Sequence, residues 1–176
     1  MSAYPSVAAG APINASTIND IILASINRPT CKLVLQANFN LAVSGTTYDI
    51  TFGSGSEVRD DRSWHSISSN TNRVTPDLPG RYLVIANGYF AANATGDRRI
   101  YIAKNGAQTS IWGRTIANGS NGVTATADGV YECNGTTDYV GMQASQTSTA
   151  ALNLQGAPGD TTFSTSLEVV YLGGLY

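Results

Sequence analysis

Charged residues are scarce in this sequence. Asp, Glu, Lys and Arg make up 12% of its 176 residues, about half of the ~25% that is usual in soluble domains. The net charge is −2, and the basic residues form no run or cluster. Because binding to a phosphate backbone requires clustered Lys and Arg, we expect no nucleic-acid partner. Polarity comes instead from Ser, Thr, Asn and Gly, which favours extended β-structure and contacts with proteins or sugars.

Long hydrophobic runs are also missing. The longest run, near Leu83–Ala86, is far shorter than the ~20 residues that a membrane-spanning helix needs, so no membrane partner is expected. The first residues lack the charged start and apolar segment of a secretory signal. We therefore expect synthesis in a cytoplasm, whatever the final location.

Cysteine and histidine are too few for a structural zinc site. Cys31, Cys133 and His65 are the only residues of these types, and such a site needs four ligands. We interpret the two cysteines as buried apolar thiols. A disulfide between them is the alternative, which synthesis in a cytoplasm disfavours. No cofactor is expected.

What the sequence does contain, from Cys31 onward, is repeated alternation of apolar and polar residues, the pattern of half-buried strands. About nine strands are predicted, separated by Asn-Gly and Pro-Gly turns. No helical pattern of ten residues follows Pro29, which argues against a parallel βαβ sheet. These signals predict an all-β, antiparallel sandwich or jelly roll. The predicted strands include Leu33–Leu35, Thr47–Phe52, Arg81–Asn93, Arg98–Lys104, Thr109–Ala117, Val123–Cys133, Asp138–Ser145, Ala150–Gln155 and Thr162–Leu172.

Two Asn-Gly pairs carry more specific predictions. Asn105-Gly106 lies between two strand patterns and predicts a tight hairpin. Asn87-Gly88 falls inside a predicted strand, where a glycine indicates either a bulge or a close approach of the backbone to another group.

Residues 1–30 differ from the β region at 31–176, and we treat them as a separate N-terminal arm with a short helix. Ser16 or Thr17 can cap that helix, and Pro29 ends it. Its apolar stripe must pack against something, either the body of its own domain or a neighbouring subunit in a larger assembly. The stripe consists of Ile18, Ile21, Ile22 and Ile26.

Catalytic and metal-binding patterns are weak. His65 could pair with Asp60 or Asp61, but no serine lies in a Gly-x-Ser-x-Gly turn. The two aspartates could hold Ca²⁺ only if a loop turned both carboxylates to one side, because adjacent strand residues point to opposite faces. We therefore predict no catalytic residue and no metal site, and we do not expect an enzyme.

Two further groups of residues are candidates for contacts. Arg98 and Arg99 begin a strand; we expect them to be solvated or ion-paired, with a contact across a subunit interface to Asp60, Asp61 or Asp97 as the alternative. Trp64, Trp112 and Tyr101 could stack on sugar rings, with core packing as the alternative for each tryptophan.

Several segments follow one another in a recognisable order: Glu57-Val-Arg-Asp-Asp-Arg-Ser-Trp-His65, Ser69-Asn70, Arg73-Val-Thr-Pro76, Pro79-Gly-Arg-Tyr-Leu-Val84, Asn93-Ala-Thr-Gly-Asp-Arg-Arg99 and Lys104-Asn-Gly106. In this order they resemble the C1q/TNF-like jelly-roll modules of tailed-bacteriophage virion proteins. The resemblance covers about residues 31–172. It implies that the acidic segment with Trp64 and His65 is a loop between strands.

The resemblance also implies a homotrimer whose three-fold axis is lined by aromatic and aliphatic side chains. The candidates for the axis or the core are Tyr82, Tyr89, Phe90, Tyr101, Tyr139, Phe163, Tyr171 and Tyr176.

A second resemblance concerns the N-terminus. Pro12-Ile-Asn-Ala-Ser-Thr-Ile-Asn-Asp20, continuing to Arg28-Pro29, looks like the segments that attach phage head and tail appendage proteins to the particle. The implied function is a non-enzymatic virion structural protein, a capsid decoration or head appendage that contacts other virion proteins. The alternative is a tail-associated module that binds a receptor or carbohydrate such as a host surface glycan, for which Trp64 and Trp112 are the ligand-facing candidates.

Overall fold

The computed structural model describes residues 28–119, 121–157 and 164–174. Within these ranges the chain forms eleven strands and no helix, so it offers no helix that could cross a membrane. The strands are β1 (Thr30–Val34), β2 (Phe39–Leu41), β3 (Thr47–Asp49), β4 (Glu57–Asp60), β5 (Pro79–Phe90), β6 (Asp97–Lys104), β7 (Ala107–Ile116), β8 (Val123–Asn134), β9 (Val140–Gln146), β10 (Leu152–Leu154) and β11 (Ser166–Gly173).

Some predictions lie outside the described residues. These are residues 1–27 of the N-terminal arm predicted over residues 1–30, which include its helix with Ile18, Ile21, Ile22 and Ile26, together with the aromatic candidates Phe163 and Tyr176.

The strands form two antiparallel sheets. The first has the order β2-β10-β5-β11-β1-β4, and β8 pairs with the other side of β5. The second has the order β3-β9-β6-β7. After β5 the chain passes to the second sheet for β6 and β7, returns to the first for β8 and crosses again for β9. This crossing pattern is that of an antiparallel jelly roll, so the predicted fold class is confirmed.

The longest strands show why the two sheets stack. On β5, Tyr82, Val84, Ala86 and Phe90 are fully buried, whereas alternate residues such as Leu83 face outward. Burying each large apolar side chain stabilises the fold by roughly 1.5–3 kcal/mol. The facing sheet contributes Ile100, Ile102, Met142 and Ala144 to the same core.

The backbone angles and the strand register decide the outcome of both Asn-Gly predictions. Asn105 and Gly106 have φ values of 52° and 81°, which are those of a two-residue type I′ hairpin between β6 and β7. Gly88 marks a close approach rather than a bulge, because the register of β5 with β8 runs through it without a shift. A Cβ atom on Gly88 would clash with Cδ1 of Ile100 on the opposite sheet.

Two short strands were not predicted. Phe39–Leu41 has too few residues to show alternation, and Glu57–Asp60 is a largely exposed, charged strand at the edge of the first sheet. The family resemblance implied that the acidic segment is a loop between strands. That implication is wrong for Glu57–Asp60, which forms a strand paired with β1. Charged residues are typical of edge strands because they discourage pairing with other chains, and they also hide the apolar pattern.

Candidate functional site

Three of the aromatic candidates lie in the core. Tyr82 and Phe90 are fully buried and Tyr171 is 4% exposed. The ring of Tyr82 packs between those of Trp64 and Tyr171, with centroid distances of 5.5 and 5.2 Å. Burial raises the pKa of Tyr82, whose hydroxyl donates to the carbonyl of Leu78 at 2.6 Å. These rings therefore belong to the core of the sandwich instead of lining a surface.

The remaining candidates, Tyr89, Tyr101 and Tyr139, are half-buried. Tyr139 lies beneath the guanidinium of Arg73, which is 4.5 Å from the ring centroid. Tyr89 and Tyr101 lie on the outward sides of the first and second sheets respectively, so they belong to different surfaces.

Trp64 is 3% exposed, so its ring is not available to stack on a ligand. Its Nε1 donates to the Asp77 carboxylate at 2.6 Å, and Arg62 donates to the same group at 2.7 and 2.6 Å. The hydrogen bond from Arg62, followed by that from Trp64, lowers the pKa of Asp77 despite its partial burial. The ligand-facing prediction for Trp64 is corrected to core packing: an indole is large enough to fill the gap beside Tyr82, and a carboxylate satisfies its N–H.

The segment that contains His65 is held by carboxylates. The Asp60 carboxylate accepts the backbone N–H groups of Trp64 and His65, both at 2.9 Å. His65 is 7% exposed, with Nδ1 2.8 Å from Oε1 of Glu57 and Nε2 3.3 Å from the carbonyl oxygen of Thr71. The hydrogen bonds of Asp60 and His65 therefore hold this segment in its conformation.

Asp61 faces a different set of partners. Its carboxylate accepts the N–H of Thr30 at 2.9 Å and pairs with Arg59 at 2.8 Å. The described residues include no group of three or more His, Cys, Asp or Glu side chains that could hold a metal ion. Asp60 and Asp61 thus serve two separate parts of the fold.

Arg98 and Arg99 have opposite environments. Arg98 is fully buried and donates to the carbonyls of Asn93, Thr95 and Asp97 at 3.2, 2.9 and 3.1 Å. Burial lowers the pKa of Arg98. The expectation that it would be solvated or ion-paired is therefore wrong, since backbone carbonyls take the place of water around it. Arg99 instead pairs with Asp97 of its own chain, at 2.7 Å.

The Asp97 carboxylate is the centre of a cluster that sequence reasoning did not assemble. It is 5% exposed and accepts from Arg99 and Arg114 at 2.7 Å each and from the hydroxyl of Thr147 at 2.7 Å. Burial by itself would raise its pKa, but the bonds from Thr147 and Arg99 and the two positive charges hold that pKa below its ordinary value. The alternation of residues along Thr109–Ala117 could have placed Arg114 on the outward side, but not opposite Arg99.

The cysteines cannot pair within one chain. Cys31 lies on β1 and Cys133 on β8, and β11 and β5 run between these strands. Three strand spacings separate them by roughly 14 Å, far more than a disulfide can bridge. Both thiols are free and buried, which confirms the first interpretation. Burial raises the pKa of both thiols, that of Cys133 to about 11.

The outward side of the first sheet carries an apolar patch. The register places Val130 of β8 beside Leu83 of β5, and Leu83 beside Val170 of β11. Ile85 follows Leu83 on the same side of β5. Val130 is 55% exposed and the other three are half-buried. We call these four side chains the apolar face.

The outward side of the second sheet differs. Trp112 of β7 is 50% exposed and lies opposite Tyr101 of β6, with ring centroids 6.4 Å apart. Arg114 and Arg99 form the next row, and Gln143 of β9 lies on the far side of Tyr101. We call these five side chains the aromatic face. Of the two ligand-facing candidates, only Trp112 is on a surface.

Solved structures share this architecture, although no protein-family model and no curated protein sequence matches the chain. Murine APRIL superposes with a TM-score of 0.58 at 14% identity, covering 83% of this chain and 100% of that one. The globular domain of zebrafish complement 1qA gives 0.56 at 11% identity, covering 84% and 99%. Eiger TNF from S. frugiperda gives 0.57 at 8% identity, covering 85% and 96%. Together with the strand topology, these likenesses show that the chain has a C1q/TNF-like jelly-roll fold.

Proposed function

We propose that this protein is a non-enzymatic structural protein that assembles as a homotrimer through the apolar face. The observation that carries the proposal is the row formed by Val130, Leu83 and Val170, which leaves hydrocarbon on the outward side of a regular sheet. Proteins of C1q/TNF-like fold are typically trimeric and non-enzymatic, which supports the proposal. Closed cyclic symmetry would bury the same patch on every subunit.

The surroundings of the apolar face suit an interface between proteins. Lys32 pairs with Glu168 at 3.7 Å and Arg81 pairs with Glu132 at 3.5 Å, on the same outward side. An apolar centre with charged residues around it is the usual anatomy of a specific interface. The charges already have partners within the chain, so association would not leave them unpaired.

The mass of the protein in solution tests this assembly. We expect a species of about three times the 18.4 kDa chain mass in light scattering or analytical ultracentrifugation. A stable monomer at high protein concentration would overturn the trimer.

We further propose that the trimer belongs to a bacteriophage virion and attaches through residues 1–30, as a capsid decoration or head appendage. This rests on the sequence resemblances described above, including the N-terminal segment with Ile18, Ile21, Ile22 and Ile26. Many copies on a particle would add avidity to an individually weak contact. Other virion proteins, such as the major capsid protein, would be the partners.

Deletion of residues 1–29 tests the attachment. We expect the truncated chain to remain a trimer but not to join particles that lack the protein. A matched control is a full-length variant in which only Ile67, an exposed loop residue, is replaced by Ala. Normal incorporation of the truncated chain would contradict the anchoring role.

A second candidate function is a tail-associated module that binds a receptor or a carbohydrate. The exposed ring of Trp112 favours it, because a half-exposed indole on a rigid sheet is a natural platform for stacking. The apolar and aromatic faces lie on opposite sides of the sandwich, so self-association and ligand binding are compatible.

A further inference from the structure

The aromatic face is organised in two rows by the strand register. The first row runs across the whole second sheet from Trp112 through Tyr101 and Gln143 to Asp49. Four neighbouring strands span roughly 14 Å, enough for a short oligosaccharide to lie across them. The row changes from aromatic at the β7 edge to polar at the β3 edge. A ligand along it would meet ring surfaces first and hydrogen-bonding groups next.

Gln143 is the polar centre of this row. The residue is 8% exposed, and its Nε2 donates to the Asp49 carboxylate at 2.8 Å. Its Oε1 is buried and has no hydrogen-bond partner in the described part of the chain. Most buried polar atoms are paired, and leaving one unpaired has a free-energy cost. A hydroxyl donor that reached this oxygen after a small side-chain movement would remove that cost.

The second row carries a surplus of positive charge. Arg114 and Arg99 lie opposite each other, and both donate to the single Asp97 carboxylate. Two guanidinium groups against one carboxylate leave one positive charge uncompensated beside Trp112. The side chains of Arg114 and Arg99 are 51% and 37% exposed, so N–H donors remain accessible to solvent. Guanidinium groups bind carboxylates through paired hydrogen bonds.

We infer that the aromatic face binds an acidic saccharide. The ring of Trp112 would stack on a sugar ring, and Arg114 and Arg99 would bind the sugar carboxylate. The Oε1 atom of Gln143 would accept a hydrogen bond from a sugar hydroxyl. The inference rests on the second of the two functions proposed above and does not depend on the virion role. It narrows that function to one face and to one chemical class of ligand.

A second copy of the chain is the competing occupant. Ile116, which is 72% exposed, lies opposite Asp97 at the edge of the same sheet and could pack against another protein. The observations favour the saccharide, because Arg114 and Arg99 form the row next to Trp112 and Gln143 follows Tyr101 in its own row. The apolar patch suited to self-association lies on the other sheet.

Binding can be measured with matched acidic and neutral probes. We would titrate the full-length protein by calorimetry with an oligogalacturonate, with its methyl ester, and with an oligosialate as a second acidic probe. At least one acidic oligomer should bind, and the methyl ester should bind about tenfold more weakly than the galacturonate, since it keeps the rings and loses the charge. Absence of binding to both acidic oligomers would overturn the inference, as would equal affinities for a galacturonate that binds and its ester.

Variants locate the site. Trp112→Ala should lower the affinity for the bound acidic oligomer about tenfold. Trp112→Phe should lower it less, because it keeps an aromatic ring. Arg114→Gln should remove most of the difference between an acid and its ester, whereas Arg114→Lys should keep it. Ile67→Ala, which removes an equally exposed apolar side chain elsewhere, should change nothing. Unchanged binding in both Trp112→Ala and Arg114→Gln would show that the ligand lies elsewhere.

The oligomeric mass separates this inference from the proposed assembly. All these variants should keep the mass of the wild-type protein. A fall in mass in Trp112→Ala would show that a second copy covers the face, which overturns the saccharide site. A monomeric protein that still bound the acidic oligomer would contradict the trimer and leave the site intact.

Discussion

Both outward faces of the sandwich are formed by alternate residues of antiparallel strands, but the side chains that they present differ in chemistry. On the first sheet, Val130, Leu83 and Val170 lie side by side and present hydrocarbon. On the second sheet, the corresponding rows join Trp112 to Tyr101 and Arg114 to Arg99. Because alternate residues of a strand face outward, a single strand register decides the chemistry of each face. The difference indicates that one face is built for burial against protein and the other for a polar, hydrated ligand.

The largest effect should come from placing a charge on the apolar face. Val130→Glu combined with Leu83→Glu should reduce the solution mass threefold, from trimer to monomer, because charges without partners are costly to bury. Trp112→Glu is the matched change on the aromatic face and should leave the mass unchanged. Analytical ultracentrifugation measures both. If the Trp112 variant dissociated and the other did not, the assignment of the two faces would be reversed.

The next prediction compares the free energy of unfolding after one substitution on each face, measured in a single chain. Asp97→Asn removes the carboxylate shared by two arginines and should lower the free energy of unfolding by about 1–2 kcal/mol, discounted because both arginines are partly solvated. Val130→Ala, on the apolar face, should cost less than this in the monomer because the side chain is half exposed. Urea unfolding in the background of Leu83→Glu, once ultracentrifugation has shown that this background is monomeric, provides the measurement. A cost near zero for Asp97→Asn would show that the ion pairs of the aromatic face are not stabilising.

Acid should weaken the aromatic face. The pKa of Asp97 in the folded protein lies below its ordinary value of 3.8, so its contribution to stability is fully present above that value. The contribution is lost as the pH falls through the folded pKa. Between pH 5 and the acid limit of folding, the wild-type protein should therefore lose more stability than Asp97→Asn. Parallel pH profiles for the two proteins would refute a role for this carboxylate.

The last comparison concerns the packing between the two sheets, at Gly88. Gly88→Ala places a Cβ atom against Cδ1 of Ile100 and should cost about 1–3 kcal/mol unless that flexible side chain moves aside. The double variant Gly88→Ala with Ile100→Val should recover part of the loss by making room. Thermal unfolding reports both, with neither face altered. Failure of the second substitution to compensate would mean that the contact with Ile100 is not the source of the strain.

Much of the fold could be predicted from the sequence, because the longest strands have a clear residue pattern. Burial alternates strictly along Pro79–Phe90, as expected for the strand predicted at Arg81–Asn93, and Asn105-Gly106 has the backbone conformation that a type I′ turn requires. The edge strand Glu57–Asp60 was missed because its charged residues hide any apolar alternation. Tertiary contacts with β1 determine that segment, so no local signal could reveal it.

The candidate sites were less accessible to sequence reasoning. Trp64 and Trp112 are the same residue type, and one lies in the core while the other is half exposed. Likewise Arg98 is buried among carbonyls while its neighbour Arg99 reaches the surface. Adjacent or identical residues separate in this way because the pleat of a strand and the position of the opposite sheet decide which side is covered.

The sequence by itself determined that the chain is an antiparallel β protein, since alternation and Asn-Gly turns act over a few neighbouring residues. It also determined that charge is sparse, so recognition relies on uncharged polar groups, hydrocarbon, aromatic rings and a few arginines. Only the tertiary structure decided that Asp97 lies between Arg99 and Arg114 and that Val130 lies beside Leu83. These neighbours are set by strand register and sheet order, which depend on the packing of the whole core.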